Sequence, residues 1–223
     1  MLKQTFIATA LVAGLGSAAS AASVTYSQTI ADQLTNFQSQ SVGQIQKFDS
    51  SLGTLNSATI TLQGNVSGSV GYESKDNSPS TVDLELSAEV SVFTRALGDI
   101  LVTLPTVAEM RMATAFDGLT DFAGTSGGSV SGTDSDTQSA VLTGAALADF
   151  VGSGFVDLFM AAVGTSSAVG PGNISTDFTT FAGGTVTVTY DYDDTPAAIP
   201  LPAGAPLLLL GLGALGLARR RMK

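Results

Sequence analysis

The sequence predicts an all-β protein: an antiparallel, jelly-roll-like β-sandwich held between an N-terminal leader and a single C-terminal transmembrane helix. Three observations predict it. Long stretches of the middle alternate apolar and polar residues with period two. Clusters of Gly, Ser, Asp, Asn and Pro punctuate those stretches as turns do. The two ends are apolar and basic, whereas the middle is acidic and rich in Thr, Ser, Val and Gly. The chain therefore divides into residues 1–22, 23–195 and 196–223.

The first segment has the layout of a secretory signal peptide. Lys3 supplies the positive start, and Phe6, Ile7, Leu11, Val12 and Leu15 a short apolar core. Small residues then run from Ser17 to Ala22, which suits cleavage at Ala21 or Ala22. The apolar run is too short to span a membrane. The implied partners are a Sec-type export machinery and a signal peptidase.

In the middle segment, residues 24–30 read as a first strand. Ile60, Leu62, Val66, Val70 and Tyr72 then share one parity against Thr59, Thr61, Gln63, Asn65, Ser67 and Ser69. Val82, Leu84, Leu86, Ala88, Val90 and Val92 alternate with Thr81, Asp83, Glu85, Ser87, Glu89 and Ser91. The turn-rich residues 75–80 between these two strands read as a hairpin loop. Residues 124–136 and 164–172 read as polar loops. Ala145, Ala146, Leu147 and Ala148 favour a short helix over 143–150, and 156–163 reads as a strand. Val186, Val188, Tyr190 and Tyr192 against Thr185, Thr187, Thr189 and Asp191 make the last strand. Such strands bury one face only, as antiparallel sheets do. Two such sheets covering one another make a sandwich.

The last segment runs Ile199-Pro200-Leu201-Pro202-Ala203-Gly204, continues uncharged to Ala218, and ends in Arg219, Arg220, Arg221, Met222 and Lys223. The 20 residues from Ile199 to Ala218 are long enough for one membrane crossing, and the basic cluster after them acts as a stop-transfer signal. Pro200 and Pro202 forbid helix and hold the backbone extended, the form a protease grips. This order of proline motif, short apolar stretch and arginine cluster resembles the PEP-CTERM sorting signals, and the VPLPA-CTERM variant in particular, with Ile199 where Val is usual. The resemblance implies an exosortase-like processing enzyme that cuts at the motif. A second stretch, from Gln46 through Phe48-Asp49, Leu52-Gly53-Thr54-Leu55 and the alternating residues to Gly64, resembles the opening of the choice-of-anchor E domain. That resemblance implies an exported β-rich domain joined to a C-terminal anchor. In that reading Phe48 and Leu52 pack under the sheet, and Asp49 and Gly53 shape the turn into the Ile60 strand.

Composition removes several functions. The 223 residues include no Cys and no His, which excludes disulfides, thiolate metal sites and every Ser-His or Cys-His nucleophile arrangement. There is no Trp. The middle segment holds all 19 acidic residues but only Lys47, Lys75, Arg95 and Arg111, a net charge of −15. Such a surface repels nucleic acid.

Few side chains remain as site candidates. Asp134 and Asp136, and Asp191, Asp193 and Asp194, have spacings that could contribute oxygens to Ca²⁺, though no EF-hand loop is present. Asp83, Glu85 and Glu89 share a strand face; carboxylate pairs hydrolyse glycosides, but such a row also describes a solvated sheet face. Tyr190 and Tyr192 fit the core better than a sugar platform. Gly124-Thr125-Ser126-Gly127-Gly128 lacks the Lys of a phosphate loop. The expectation is a non-enzymatic cell-surface or extracellular-matrix protein, exported and at least transiently anchored in the membrane. The alternative is a surface-displayed module that binds polysaccharide or calcium, and a hydrolase acting through acidic pairs ranks last.

Overall fold

A computed structural model describes residues 21–170 and 172–195. The leader proper, the sorting motif Ile199–Gly204 and the basic cluster Arg219, Arg220, Arg221 and Lys223 lie outside these residues. Among the described residues, no helix is long and apolar enough to cross a membrane.

The described chain is a set of antiparallel strands, with one isolated parallel bridge between Phe48 and Val151. Its strands are β1 (Ala21–Leu34), β2 (Phe37–Ser41), β3 (Ile45–Gln46), β4 (Gly53–Ser74), β5 (Ser80–Thr94), β6 (Gly98–Thr103), β7 (Thr106–Ala113), β8 (Gly127–Leu142), β9 (Phe155–Val156), β10 (Leu158–Gly164), β11 (Ser167–Val169) and β12 (Ile174–Asp194). One 3₁₀ turn spans Gly144–Phe150, where the alanine run predicts a short helix. The expected first and last strands and the strand over 156–163 are all present.

One sheet has the order β1-β12-β4-β8. In the other, β5 is central. β10 and β11 follow one another along one of its sides, β6 and β7 along the other, and β2 lies outside β10. Each of these broken pairs continues one register on β5: Gly164 opposes Ala88 and Ser167 opposes Glu85, while Thr103 opposes Val90 and Thr106 opposes Ser87. The second sheet therefore also has four columns. The chain pairs first with last (β1 with β12), then β2 with β10, β4 with β8 and β5 with β6–β7. This is a long hairpin rolled into two facing sheets, the jelly-roll wrapping.

The core lies between the sheets. Ala58, Ile60, Leu62, Val66, Val70 and Tyr72 of β4 face Val82, Leu84, Leu86, Ala88, Val90 and Val92 of β5, all buried. Each large aliphatic side chain so buried contributes roughly 1.5–3 kcal/mol. Val186, Val188 and Tyr190 of β12 and Leu158, Met160 and Ala162 of β10 extend the same layer. Glycines set the sheet separation at one point. A Cβ on Gly64 would lie 2.0 Å from Thr103 Oγ1, and one on Gly184 would lie 3.3 Å from Met160 Cε. Side chains from one sheet thus fill the space that side chains are missing from in the other.

Four expectations are corrected. Residues 75–80 do not close a hairpin. β4 belongs to the first sheet and β5 to the second, and their even-numbered apolar residues meet across one core. Of the polar stretch 124–136, only residues 124–126 are loop. From Gly127 it is β8, a rim strand whose inward positions carry Gly128, Gly132, Asp134 and Asp136 around the single buried Val130, and so show little apolar alternation before residue 138. Residues 164–172 contain the short strand β11. Leu52 is exposed, whereas Phe48 is buried as expected.

Candidate functional site

The expected carboxylate candidates separate into three places. Asp134 and Asp136 point inward from β8, at the open side of the sandwich. Asp134 Oδ2 accepts the Thr106 backbone N–H at 2.8 Å, and Asp136 Oδ2 accepts that of Leu104 at 3.0 Å. These two donors flank Pro105, where β6 breaks from β7. The two carboxylates therefore tie the rim of one sheet to the rim of the other, and inward charge on a rim strand also deters edge pairing with other chains. Asp191, Asp193 and Asp194 lie at the end of β12 beside the start of β1, with Asp193 opposite Ala21 and Asp191 accepting Ser57 Oγ at 3.3 Å. Ala21 and Ala22, the expected cleavage positions, are the first residues of β1. Asp83, Glu85 and Glu89 share the outward parity of β5. Among the described residues, no group of three or more acidic side chains is placed to hold a metal ion.

Both tyrosines pack toward the core as expected, Tyr190 inside it and Tyr192 half-buried at its edge. Tyr190 is fully buried, packs against Phe48 and Tyr26, and donates its hydroxyl to the Gln46 carbonyl at 3.0 Å. Burial, with a smaller contribution from Tyr26, raises its pKa well above the ordinary tyrosine value of 10.0. Tyr192 packs on Phe48 with ring centroids 5.0 Å apart. The turn after Phe48 is also built as its residues suggest. Asp49 Oδ1 accepts the Ser51 backbone N–H at 2.9 Å, which holds its carboxyl below the ordinary range. Gly53 has to be Gly, because a Cβ there would lie 2.0 Å from the Asp193 carbonyl oxygen.

Three features escape the sequence reading. The outward face of the first sheet is a hydroxyl array: Thr25 meets Thr189, Ser27 meets Thr187, Thr29 meets Thr185 and Thr61 meets Ser139, with oxygens 2.8–3.1 Å apart. Glu73 lies fully buried under residues 114–126, where Ser126 Oγ donates to its Oε1 at 2.6 Å. The third is a cavity of about 130 Å³ at the end of the second sheet, lined by Lys47, Thr94, Arg95, Ala96, Asp149, Val156 and Asp157. These residues come from the strand-end after β3, the β5–β6 turn, the 3₁₀ turn and the β9–β10 junction. Nothing in local spacing links positions 47, 95, 149 and 157; only the fold brings them together.

No family model matches the chain, and no curated protein does. Among solved structures it is similar to infectious bursal disease virus, Gx strain, at 11% identity over 86% of this chain and 42% of that chain, with a TM-score of 0.23. It is also similar to T=1 particles derived from that virus, at 10% identity over 78% of this chain and 37% of that one, with a TM-score of 0.22. The chain thus spans less than half the length of those viral chains. Likeness at this level carries no argument about function.

Proposed function

We propose that this chain is a non-enzymatic exported protein, delivered to the cell surface or extracellular matrix by a C-terminal sorting signal that an exosortase-like enzyme cuts. The observation that carries this reading is the order of the tail: Pro200 and Pro202 in a short motif, an uncharged stretch to Ala218, then Arg219, Arg220, Arg221 and Lys223. Each part has a mechanical role in processing. The prolines keep the scissile segment extended, the apolar stretch fixes its depth at the membrane, and the arginines stop transfer.

Two features of the sandwich support the reading. Ala21 and Ala22 begin β1, so signal cleavage there leaves the strands intact apart from the first two pairs, with Asp193 and Tyr192. Only four residues separate Thr195 from the middle of the motif at Pro200. At no more than about 3.6 Å per residue, a cut anywhere in Ile199–Gly204 falls within roughly 32 Å of chain from Thr195.

The test is the intact mass of the protein recovered from the cell envelope and from the medium. A mass ending within Ile199–Gly204 supports sorting. A mass running through Lys223 in every fraction, or unchanged processing after Pro200→Ala and Pro202→Ala together, overturns it.

A further inference from the structure

The middle segment carries four basic residues, and two of them, Lys47 and Arg95, line the same small cavity together with Asp149 and Asp157. Among the described residues the ion pair is Arg111 with Glu109, so neither Lys47 nor Arg95 has a carboxylate within 4.0 Å. Arg95 is nonetheless fixed. Its guanidinium carbon lies 5.1 Å from the centroid of the Phe159 ring, and Phe159 stacks on Phe93 at 5.7 Å. A cation–π contact of this kind holds the fork in place while leaving its N–H groups to donate outward. Thr94 is buried beneath, its hydroxyl accepting the Leu97 backbone N–H at 3.0 Å, which fixes the turn that carries Arg95.

We infer that this cleft binds one neutral saccharide residue of an extracellular polymer. The charge pattern, two cations and two carboxylates, disfavours a ligand of a single sign. Asp149 and Asp157 accept hydrogen bonds from hydroxyl groups and repel an anionic ligand at contact. Lys47 and Arg95 donate to hydroxyl and ring oxygens and repel a cationic one. A ligand that is uncharged, with donors and acceptors side by side, satisfies all four, and vicinal hydroxyls have that form. Bonds to charged partners are the strong ones, so a small cleft gains orientation from few contacts. The net charge of −15 on the middle segment adds a long-range penalty for acidic polymers. The cavity is small, about 130 Å³, so a polymer would engage it through one ring at the mouth, with the rest of the chain outside. The inference deepens the surface-protein reading by naming what the delivered domain would hold.

The experiment is calorimetric titration of the full 223-residue chain, solubilised in detergent, with neutral oligosaccharides (gluco-, galacto- and manno-configured) and with an oligogalacturonate as the acidic control. Binding of at least one neutral oligosaccharide is expected, and Arg95→Gln and Asp157→Asn should each weaken it about tenfold or more. Both positions are exposed, and unchanged thermal melting of the variants confirms that the fold is kept. The Thr61→Val variant, on the hydroxyl face of the other sheet, should bind as the parent does. Absence of any binding overturns the inference, as does preference for the oligogalacturonate or undiminished binding by both cleft variants. Each of these outcomes is separable from the sorting reading, which the mass of the processed protein decides independently.

Discussion

Substituting Gly64 tests how closely the two sheets meet. Ala normally gains about 0.5–1 kcal/mol over Gly in a strand, because the unfolded chain loses less freedom. At Gly64 the sign should reverse. A Cβ there would lie 2.0 Å from Thr103 Oγ1, 3.1 Å from Val90 Cβ and 3.2 Å from Thr103 Cβ. Thr103 is β-branched and fully buried, and its hydroxyl donates to the Val90 carbonyl at 3.3 Å, so turning it away replaces one clash with another. Overpacking of this kind costs about 1–3 kcal/mol. For a domain of this size each kcal/mol lowers Tm by about 2–4 °C, and Gly64→Ala should therefore melt roughly 2–12 °C below the parent. Thr103→Ala alone should cost about 1 kcal/mol for the lost hydrogen bond. In the double variant the obstructing oxygen is gone, so the two costs should not add. A coupling of at least about 1 kcal/mol in a double-mutant cycle, read by urea unfolding, is expected. If Gly64→Ala melted at or above the parent temperature, or the two effects simply summed, the close approach of β4 to β6 would be wrong.

Tyr190→Phe should cost about 1 kcal/mol, the hydroxyl's bond to Gln46, whereas Tyr190→Ala should cost about 3–5 kcal/mol through the cavity left beside Phe48; chemical denaturation separates the two. The same tyrosine gives a pH signature. Its pKa is raised in the folded state, so its contribution is intact below pH 10.0 and is lost as pH climbs above that value, where only the unfolded chain ionises. Denaturation followed from pH 9 to 12 should show that loss in the parent and a smaller one in Tyr190→Phe. Asp134→Ala and Asp136→Ala should each lower stability by about 1 kcal/mol, because each strips an acceptor from a backbone N–H beside Pro105. If these aspartates serve the strand junction, the loss should be the same with and without a chelator of divalent ions, and a loss seen only in the presence of calcium would assign them to metal instead.

The sequence by itself determined the strand class and the identity of the core face. Residues 58–72 and 82–92 alternate with period two because one side of each strand meets apolar neighbours and the other meets water, a local imprint of burial that survives in any one-dimensional reading. It also marked Asp49 and Gly53 as builders of the turn into β4, since turn chemistry is local, whereas of Phe48 and Leu52, both expected under the sheet, only Phe48 is buried. It did not reveal β8. That strand runs along the rim, where inward positions need not be apolar, so Gly and Asp stand where a central strand would carry Val or Leu. Nor could it place β4 and β5 in facing sheets, because a short polar connection suits a hairpin and a crossover equally well; the shared core between them decides the matter. The cleft of Lys47, Arg95, Asp149 and Asp157 was illegible for the same reason. Its four charged residues are separated by up to 110 positions, and their meeting depends on the rolling of the chain that pairs its first strand with its last, a property of non-local contacts and not of any segment.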